Sequence, residues 1–368
     1  MYVYEYRIED TITMAPVSKN LRTDRIPVSV ITGFLGSGKT TLLNALLKHP
    51  GMADTAVIIN EFGEIGLDHL LVEEAFEDVL LLQSGCLCCT IRGDIVDTLD
   101  RLYGQMDRGE VPPFKRAVIE TTGLADPAPV LQTLMTEDLI TKRFRLDSVI
   151  TTVDAANGLG QLDEHPEPAK QAAVADRIVL TKTDLVSDTE VQQLKERLAS
   201  LNPGAPIFEV INGNIEPDKL FGAALFDLTQ KTPDVQQWLR EESYKSEHDH
   251  HDSHHHDVNR HGEDIRAFCL TYDTPIPWDA FKAWLESIAS VRGADLLRMK
   301  GIVNIEGETT PIVIHAVQHV FHPPARLPKW PDDDHSTRIV FITRNIAQEP
   351  LAKTLEAFAT QVKPAFAE

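Results

Sequence analysis

The sequence predicts an α/β domain built on a mainly parallel β-sheet, followed by a smaller α+β domain. Three observations predict this architecture. Between residues 26 and 230, short β-branched apolar runs alternate with helical stretches, which is typical of parallel strands covered on both faces. A polar, histidine-rich tract then interrupts the chain and contains too few apolar residues to form a core. Beyond this tract, runs typical of strands and helices resume.

These features divide the 368 residues into four predicted segments. Residues 1–24 are predicted to be an N-terminal extension of mixed polarity, and residues 25–240 to be the α/β domain. Residues 241–263 are predicted to be a histidine-rich linker, and residues 264–368 the α+β domain. At roughly 100 to 200 residues per domain, the length agrees with two or three domains.

Composition and charge exclude several classes of protein. Apolar residues make up 42% and charged residues 25%, as in ordinary globular proteins. The formal net charge of -21 repels nucleic-acid phosphates and anionic lipid head groups, so neither nucleic acid nor a membrane is an expected partner. No apolar run reaches the roughly 18 residues of a membrane span, and only four cysteines are present. We therefore expect a cytoplasmic protein in a reducing compartment.

Apolar runs place the predicted elements in order along the chain. In the α/β domain, strands are predicted at PVSVIT, TAVIIN, RAVIET, LDSVITTVDA, RIVLTK and PIFEVI, and helices at TTLLNALLKH and TEVQQLKERLASL. In the α+β domain, strands are predicted at IRAFCLTYD, LLRMKGIVNIE, PIVIHAVQHVF and TRIVFITRN, and helices at WDAFKAWLESIAS and EPLAKTLEAFATQV. In PIVIHAVQHVF, His315 and His319 share strand parity and are expected on one side, while His322 follows at a turn. Packing or surface roles are expected for these histidines rather than metal binding.

A phosphate-binding motif follows the first predicted strand. Residues 33–40 read GFLGSGKT, which matches G-x-x-x-x-G-K-[ST] between a strand and a helix. Its glycines let backbone N–H groups approach phosphate oxygens at the start of the helix. Lys39 is expected to reach the β- and γ-phosphates, and the Thr40 hydroxyl to bind Mg²⁺. The alternative is a glycine-rich turn without a ligand, which the strand-loop-helix context disfavours. We call residues 33–40 the phosphate loop.

A carboxylate and a glycine follow the strand RAVIE, in the segment Glu120-Thr121-Thr122-Gly123. Ligands of parallel sheets lie at the carboxyl ends of the strands. Glu120 is therefore expected in the Mg²⁺ shell or its water network, and the Gly123 N–H is expected to sense the γ-phosphate. These two residues, with Lys39 and Thr40, are the predicted catalytic set. Without the phosphate loop, the same string also fits a plain turn.

The choice of base is predicted from Thr181-Lys182-Thr183-Asp184, which follows the apolar strand RIVL. This is a [NT]-K-x-D element. An aspartate at its last position can accept hydrogen bonds from the ring N–H and the exocyclic amine of guanine, a donor pair that adenine lacks. The alternative is an exposed lysine with Asp184 capping a helix. The sequence thus favours GTP as the nucleotide.

Three cysteines crowd into Gly85-Cys86-Leu87-Cys88-Cys89. Their thiolates can converge on one tetrahedral ion, with Zn²⁺ or Cu(I) favoured by sulfur and Co²⁺ or Ni²⁺ also accepted. A fourth position would remain for water, a carboxylate or a histidine, which makes the site exchangeable. Buried inert thiols and a redox pair are the alternatives. Cys269, alone inside an apolar strand, is expected to be a core residue.

Seven of the fourteen histidines lie between positions 248 and 261. Neutral imidazoles bind late first-row divalent ions, so residues of this tract such as His250 and His254 are expected to be weak, accessory metal ligands. The interspersed aspartates help to concentrate cations. A solvated linker without a metal role is the alternative.

Taken in order, the segments GFLGSGKTTLLN, INEFGEIGLD, GCLCC, ETTG and TKTD, then the histidine tract and a tail with AVQHVFHP and RIVFITRN, form a specific signature. This signature resembles the CobW family of P-loop GTPases, and the resemblance covers about residues 26 to 347. It implies a P-loop NTPase domain that binds GTP and Mg²⁺, followed by a CobW C-terminal domain.

The resemblance also implies roles for particular residues. Those implied to hold the phosphates and Mg²⁺ are Gly36, Ser37, Gly38, Lys39, Thr40 and Thr41, and those implied to read guanine are Lys182 and Asp184. Cys86, Cys88 and Cys89 would bind the metal, and the segment 60–64 would link nucleotide to metal, with Glu64 as an extra ligand. Thr181 stands where the guanine motif more commonly has Asn, and the loss of that amide weakens contacts to the base.

The combined motifs predict a GTP-hydrolysing metallochaperone that binds Zn²⁺ at the CxCC loop and delivers it to client proteins under nucleotide control. The alternatives are a cobalt-handling GTPase for cobalamin biosynthesis and a metal-buffering protein with a weak nucleotide site. Zn²⁺ and Co²⁺ accept the same sulfur and nitrogen ligands, so the sequence does not separate them. The expected partners are metal-receiving client proteins, and the sequence is compatible with a homo-oligomer.

Overall fold

The structure is a computed structural model that describes residues 25–59, 80–83, 91–222 and 265–361. Contacts between Cα atoms divide the chain into two compact units. The described part of the first unit ends at residue 222, and the second unit is described from residue 265. The predicted extension at 1–24 and the predicted linker at 241–263 lie outside the described residues. The three boundaries between the four segments therefore stay predictions.

The first unit is built on a parallel sheet of seven strands. Its strands are β1 (Ile26–Gly33), β2 (Thr55–Ile59), β3 (Leu80–Gln83), β4 (Arg116–Glu120), β5 (Phe144–Asp154), β6 (Arg177–Thr181) and β7 (Ile207–Val210). They lie in the order β3-β2-β4-β1-β5-β6-β7, and each pairing is parallel. The predicted α/β class is thus confirmed. Six strands coincide with predicted runs, whereas the edge strand β3 has no counterpart among them.

Helices connect these strands and cover the sheet. They are α1 (Lys39–Leu47), α2 (Ile91–Asp107), α3 (Ala128–Thr136), α4 (Asp138–Thr141), α5 (Gly158–Glu164), α6 (Pro166–Ala173) and α7 (Asp188–Leu201). Consecutive residues of the central strands β1, β4 and β5 are buried, which means that both faces of the sheet are covered. Because both faces are covered, the strand sequences are expected to be continuous apolar runs and not to alternate between apolar and polar residues.

The position of α1 follows from its apolar face. Leu42, Leu43 and Leu46 are almost fully buried and belong to one core cluster with Ile31 of β1 and Val118 of β4. Burial of a leucine side chain stabilises the fold by about 1.5–3 kcal/mol. This packing fixes the start of α1 beside the carboxyl end of β1, where the phosphate loop lies.

From residue 265 to residue 361, the second unit is an antiparallel sheet with two α-helices, as the prediction of an α+β domain requires. The strands are β8 (Ile265–Tyr272), β9 (Leu296–Val303), β10 (Ile312–Val317), β11 (Val320–Phe321), β12 (Ala325–Arg326) and β13 (Thr337–Arg344), and the helices are α8 (Trp278–Arg292) and α9 (Gln348–Gln361). The strand order is β11-β10-β9-β13-β8, with β12 paired to β10. Trp284, Phe281 and Phe341 are fully buried in its core. No helix in the described parts of either unit is both long and apolar enough to cross a membrane.

One prediction in this unit is wrong. The run PIVIHAVQHVF is a hairpin of β10 and β11, which turns at Gln318 (φ 53°) and His319. His315 and His319 therefore do not face one side, because strand parity does not continue through a turn. His315 is buried and its ring stacks on that of His322 at 5.0 Å between centroids, whereas His319 is exposed in the turn.

Candidate functional site

The predicted nucleotide residues of the first unit lie at the carboxyl ends of neighbouring parallel strands. The phosphate loop begins at the last residue of β1, Glu120 is the last residue of β4, and Thr181 is the last residue of β6. In the sheet, β1 lies between β4 and β5, and β5 pairs with β6. This is the edge at which ligands of open parallel sheets bind.

Close packing under the phosphate loop explains its first residues. Gly33 has φ 145°, and a Cβ atom there would lie 2.7 Å from Ser37 Oγ, so a side chain has no room. Ser37 is fully buried and its hydroxyl lies 2.7 Å from Thr152 Oγ1 of β5. The Ser37 side chain is thus used to hold the loop on the sheet, which leaves only its backbone for a ligand.

Lys39 is folded back over the phosphate loop. Its Nζ donates hydrogen bonds to the backbone carbonyls of Gly33 (3.0 Å) and Phe34 (3.3 Å). The first turn of α1 carries no acidic residue, and Gly38 at its start makes no side-chain cap. Helix N-termini attract anions through their N–H groups and dipole. The loop therefore offers an ammonium group and a helix start to a phosphate.

Thr40 and Glu120 meet across the sheet edge. The Thr40 hydroxyl donates a 2.8 Å hydrogen bond to Glu120 Oε1, although the two residues are 80 positions apart. Glu120 is only 4% exposed. A hydroxyl and a buried carboxylate are the hard oxygen donors that Mg²⁺ prefers. The residues present therefore fit the predicted Mg²⁺ site.

The segment after β4 lies against the phosphate loop. A Cβ atom on Gly123 would lie 2.7 Å from the backbone nitrogen of Leu35, so the two backbones are almost in contact. The Gly123 carbonyl accepts a 3.1 Å hydrogen bond from Nε2 of Gln171, which is fully buried. At the base of the segment, Thr121 N–H donates to the Ile31 carbonyl of β1 (3.0 Å). This contact suits the predicted role of Gly123 beside a terminal phosphate.

Two residues of the guanine motif, which follows β6, donate hydrogen bonds to backbone carbonyls of the phosphate loop. Thr181 is 7% exposed and its hydroxyl lies 2.8 Å from the Ser37 carbonyl. Lys182 has φ 57°, which is unusual for a residue with a side chain, and its Nζ donates to the Gly36 carbonyl (2.8 Å) and to Asp154 Oδ2 (2.6 Å). Positions of this kind often persist because they serve a function.

Asp184 is exposed after Lys182 and does not cap the following helix. The N-cap of α7 is Ser187, which forms a reciprocal capping box with Glu190. The capping alternative for Asp184 is therefore not what the structure shows. Its carboxylate remains accessible to a base.

Asp154 is a site residue for which the sequence analysis has no assignment. It is 1% exposed at the end of β5 and accepts hydrogen bonds from the N–H of Ala156, from Asn157 and from Lys182. Burial by itself raises the pKa of Asp154, but the hydrogen bonds from Lys182, Asn157 and Ala156 together outweigh it and lower the pKa below its usual value. A carboxylate at the end of an apolar strand is a signal that could have identified this residue. Gln171, in the middle of α6, carries no such signal.

Unlike the predicted Mg²⁺ residues, the residues predicted to bind Zn²⁺ or a similar ion lie outside the described residues. They are Glu64, Cys86, Cys88, Cys89, His250 and His254. Within the described ranges, no cluster of three or more His, Cys, Asp or Glu side chains is arranged to hold a metal ion. Cys269 is buried in a hydrophobic cluster of the second unit, as expected for a core residue.

Comparison with known proteins identifies the family. The protein-family model described as CobW/HypB/UreG, nucleotide-binding domain, matches residues 27–209. The family model of the cobalamin synthesis protein cobW C-terminal domain matches residues 265–359. The zinc chaperone YjiA of Escherichia coli (strain K12) is 32% identical over 326 residues, which cover 89% of this chain and 96% of that relative. The zinc-regulated GTPase metalloprotein activator 1 of Schizosaccharomyces pombe is 34% identical over 200 residues, covering 52% of this chain and 47% of the relative. The crystal structure of Zn(II)-bound YjiA GTPase from E. coli matches at 27% identity with a TM-score of 0.66, covering 91% of this chain and 99% of that one. The chain therefore belongs to the CobW family, with a CobW/HypB/UreG nucleotide-binding domain followed by a CobW C-terminal domain.

Proposed function

We propose that the protein is a GTP-hydrolysing metallochaperone, which binds Zn²⁺ at Cys86, Cys88 and Cys89 and passes it to a client protein when GTP is hydrolysed. The observation that carries the nucleotide half is the meeting of Thr40 and Glu120, 2.8 Å apart beside the phosphate loop. The zinc half is supported by the spacing of the three cysteines and by relatives that are named zinc chaperone and zinc-regulated GTPase metalloprotein activator.

Phosphate binding is assigned to the backbone of residues 36–41 and to Lys39. Lys39 exchanges its hydrogen bonds with Gly33 and Phe34 for phosphate oxygens. Thr40 and Glu120 would hold Mg²⁺, which would supply positive charge to neutralise the phosphates. The N–H of Gly123 contacts the γ-phosphate, because this residue already lies against the loop. The chemistry of this site is therefore positioning and charge stabilisation.

Guanine recognition is assigned to Asp184, with Lys182 beside it. The exposed carboxylate of Asp184 accepts two hydrogen bonds from guanine and would leave its acceptors unpaired against adenine. GTP is therefore expected to bind more tightly than ATP. The test is a comparison of the Kd values of GTP and ATP in the protein and in Asp184→Asn, which should reduce the preference.

Metal delivery requires that the two sites respond to each other. The cysteines lie in the chain between the segment 60–64, which includes Glu64, and the segment 120–123 beside the phosphate loop. A change of nucleotide that reorders these segments changes the geometry of the thiolates. A difference of about 10³ in zinc affinity between the two nucleotide states corresponds to roughly 4 kcal/mol.

Hydrolysis is tested with Lys39→Ala. This variant should lose GTP turnover, because it removes the ammonium group that we assign to the phosphates. Lys48→Ala, an exposed lysine just beyond the end of α1, is the matched control and should hydrolyse GTP at the normal rate. Absence of GTP turnover in the unaltered protein, measured with Mg²⁺ and with Zn²⁺, would refute the enzymatic part of the proposal.

Zinc control is tested by titrating Zn²⁺ into the protein bound to a non-hydrolysable GTP analogue and to GDP. Tight binding should depend on the nucleotide and should disappear when Cys86, Cys88 and Cys89 are replaced by serine, with nucleotide binding retained. Equal zinc affinities in the two states would exclude nucleotide-controlled delivery. The same titration with Co²⁺ separates zinc handling from the cobalt alternative, and the absence of metal-stimulated turnover would favour a metal buffer.

A further inference from the structure

We propose that Thr181 is a positioning residue for the phosphate loop, which acts on phosphate binding and not on the choice of base. The proposal rests on the proposed nucleotide function and deepens it. In the sequence, Thr181 stands at the position where the motif more commonly has an asparagine that contacts the base. The sequence alone therefore predicts that threonine at this position weakens contacts to the base. The geometry points to a different partner for its side chain.

The Thr181 side chain is turned into the loop. Its hydroxyl lies 2.8 Å from the carbonyl oxygen of Ser37 and 3.2 Å from that of Val153, and the residue is 7% exposed. A hydroxyl has one proton, so the shorter contact, to Ser37, is the principal hydrogen bond. On the other side of Ser37, its own hydroxyl lies 2.7 Å from Thr152 Oγ1. The backbone carbonyl and the side-chain hydroxyl of Ser37 are thus each hydrogen-bonded to a strand residue, Thr181 of β6 and Thr152 of β5.

The Thr181 methyl group packs on the next residue of the loop. A Cβ atom on Gly38 would lie 3.3 Å from Thr181 Cγ2, so the methyl group covers the face of Gly38 directly. Gly38 has φ 89° and immediately precedes α1. Thr181 therefore contacts the loop at the point where it becomes the phosphate-binding helix.

This contact determines the direction of a backbone donor. The Ser37 carbonyl and the Gly38 N–H belong to one planar trans peptide, so they point to opposite sides. When Thr181 holds the carbonyl on its own side, the Gly38 N–H points away from Thr181. A donor fixed before the ligand arrives avoids the entropy that a free loop would lose on binding. The hydrogen bond therefore supports phosphate binding without touching the nucleotide.

The two ends of the guanine motif thus have different roles: Thr181 positions the phosphate loop, and Asp184 is available to the base. Thr181 is buried against the loop, and Asp184, three positions later, is exposed. Lys182, between them, donates 2.8 Å to the Gly36 carbonyl, so a second residue holds the loop in the same way. A residue that acts through the loop should affect all nucleotides equally, because each carries the same phosphates.

The test measures the Kd values of GTP and UTP, with Mg²⁺, for the protein and for Thr181→Val. UTP has the same ribose and triphosphate as GTP but lacks the purine ring, so a contact from position 181 to the purine would affect GTP alone. Loss of one hydrogen bond should raise both Kd values by the same factor, about fivefold to tenfold. Thr189→Val, the same change at an exposed position in the first turn of α7, is the matched control and should leave both Kd values unchanged.

A second pair keeps the proposal testable if the valine variant does not fold. Thr181→Ser and Thr181→Ala both lack the methyl group, so their difference isolates the hydroxyl. Serine should bind both nucleotides more tightly than alanine, by the same factor for each. A change in the ratio of the two Kd values would make Thr181 a base-reading residue and overturn the proposal, as would unchanged Kd values. If the unaltered protein binds neither nucleotide, the proposed function itself has failed.

Discussion

Gly123 shows how much a single Cβ atom can matter in this site. In Gly123→Ala the added atom would meet the backbone nitrogen of Leu35 at 2.7 Å and its Cα at 2.9 Å, so the phosphate loop or the segment 120–123 must move. Strain of this kind is worth about 1–3 kcal/mol. We expect kcat/KM for GTP to fall by roughly tenfold or more, as measured by steady-state phosphate release.

Gly160→Ala is the matched control for this change. Gly160 lies in α5, and a Cβ atom there would meet nothing within 4 Å. A helical glycine replaced by alanine gains roughly 0.5–1 kcal/mol in stability. Turnover of GTP should be unchanged. Equal kinetics in the two alanine variants would show that the approach of Gly123 to Leu35 has no role in the reaction.

The carboxylate of Asp154 gives the site a defined pH response. Its pKa is lowered in the fold, although burial alone acts to raise it, because the hydrogen bonds from Lys182, Asn157 and Ala156 outweigh burial. A group with a lowered pKa stabilises the fold fully above its unfolded pKa of about 4 and loses this contribution as the pH falls through the folded pKa. Asp154→Asn should therefore lower the stability by about 1 kcal/mol at neutral pH, a figure that allows for the partial exposure of Lys182.

Denaturant unfolding of the two proteins at several pH values checks this expectation. The difference between the protein and Asp154→Asn should be constant from about pH 5 to pH 8 and should shrink below about pH 4. Asp184→Asn, at an exposed position, is the control and should change stability by less than about 0.5 kcal/mol. A difference that grows as the pH falls would contradict the lowered pKa.

At the level of residues, sequence reasoning found those that are close in the chain or that form a spaced motif. Glu120 and Gly123 follow a recognisable strand, and the structure places both beside the phosphate loop. Gln171 contacts Gly123 only because α6 packs there, and no spacing in the chain encodes this contact. The partner of Thr181 likewise lies 144 positions away, so the sequence alone points to the base as its partner.

Among the elements, α7 is the helix whose start is most clearly encoded. Ser187 accepts a hydrogen bond from the Glu190 N–H, and Glu190 accepts one from the Ser187 N–H. Ser187→Ala should destabilise the helix by about 1 kcal/mol, because one N-terminal N–H group loses its acceptor. Hydrogen exchange of the amides in residues 188–201 should become faster.

The control for this change is Ser200→Ala in the last turn of the same helix. Ser200 is exposed and donates to the Arg197 carbonyl, a bond that offers the helix little because such carbonyls are already accessible to water. Exchange in residues 188–201 should stay the same or become slower. If both alanine variants exchange alike, the capping box does not contribute to the stability of α7.

The elements that the sequence missed have weak local signals. The edge strand β3 is Leu80–Gln83, and a short run of leucines fits a helix as well as a strand. Helix α2 contains Gly93 and Gly104, and glycine inside a helix weakens the helical pattern. In the second unit, the hairpin turn at Gln318 and His319 lacks the glycine or proline that signals a turn, which led to the wrong parity of the histidines.

For the whole molecule, charge and local structure act in opposite directions on the proposed ligand. A net charge of -21 opposes the approach of a nucleotide triphosphate. The ionic atmosphere screens this field beyond about 8 Å at physiological salt. We therefore expect nucleotide binding to depend on the short-range groups of the proposed site, which are Lys39, the start of α1 and the oxygen pair of Thr40 and Glu120. The global charge is accordingly expected to disfavour polyanionic partners more strongly than a small nucleotide.

The described residues of the second unit form a hydrophobic core, which leads to a prediction about the whole chain. Trp284 of α8 is fully buried with Phe281 and Phe341, and its Nε1 donates a 3.0 Å hydrogen bond to Thr354 of α9. Both helices thus pack through residues of the same unit. We predict that residues 264–368 fold without the rest of the chain, and near-ultraviolet circular dichroism with a cooperative thermal transition would show it.

Trp284→Phe, which loses the hydrogen bond and part of the volume, should lower the melting temperature of that piece, because large-to-small changes in a core cost about 1 kcal/mol or more. Lys353→Ala, at an exposed position of α9, should not change it. A piece with no cooperative transition would mean that this core needs residues before position 264, and the predicted boundary would be wrong.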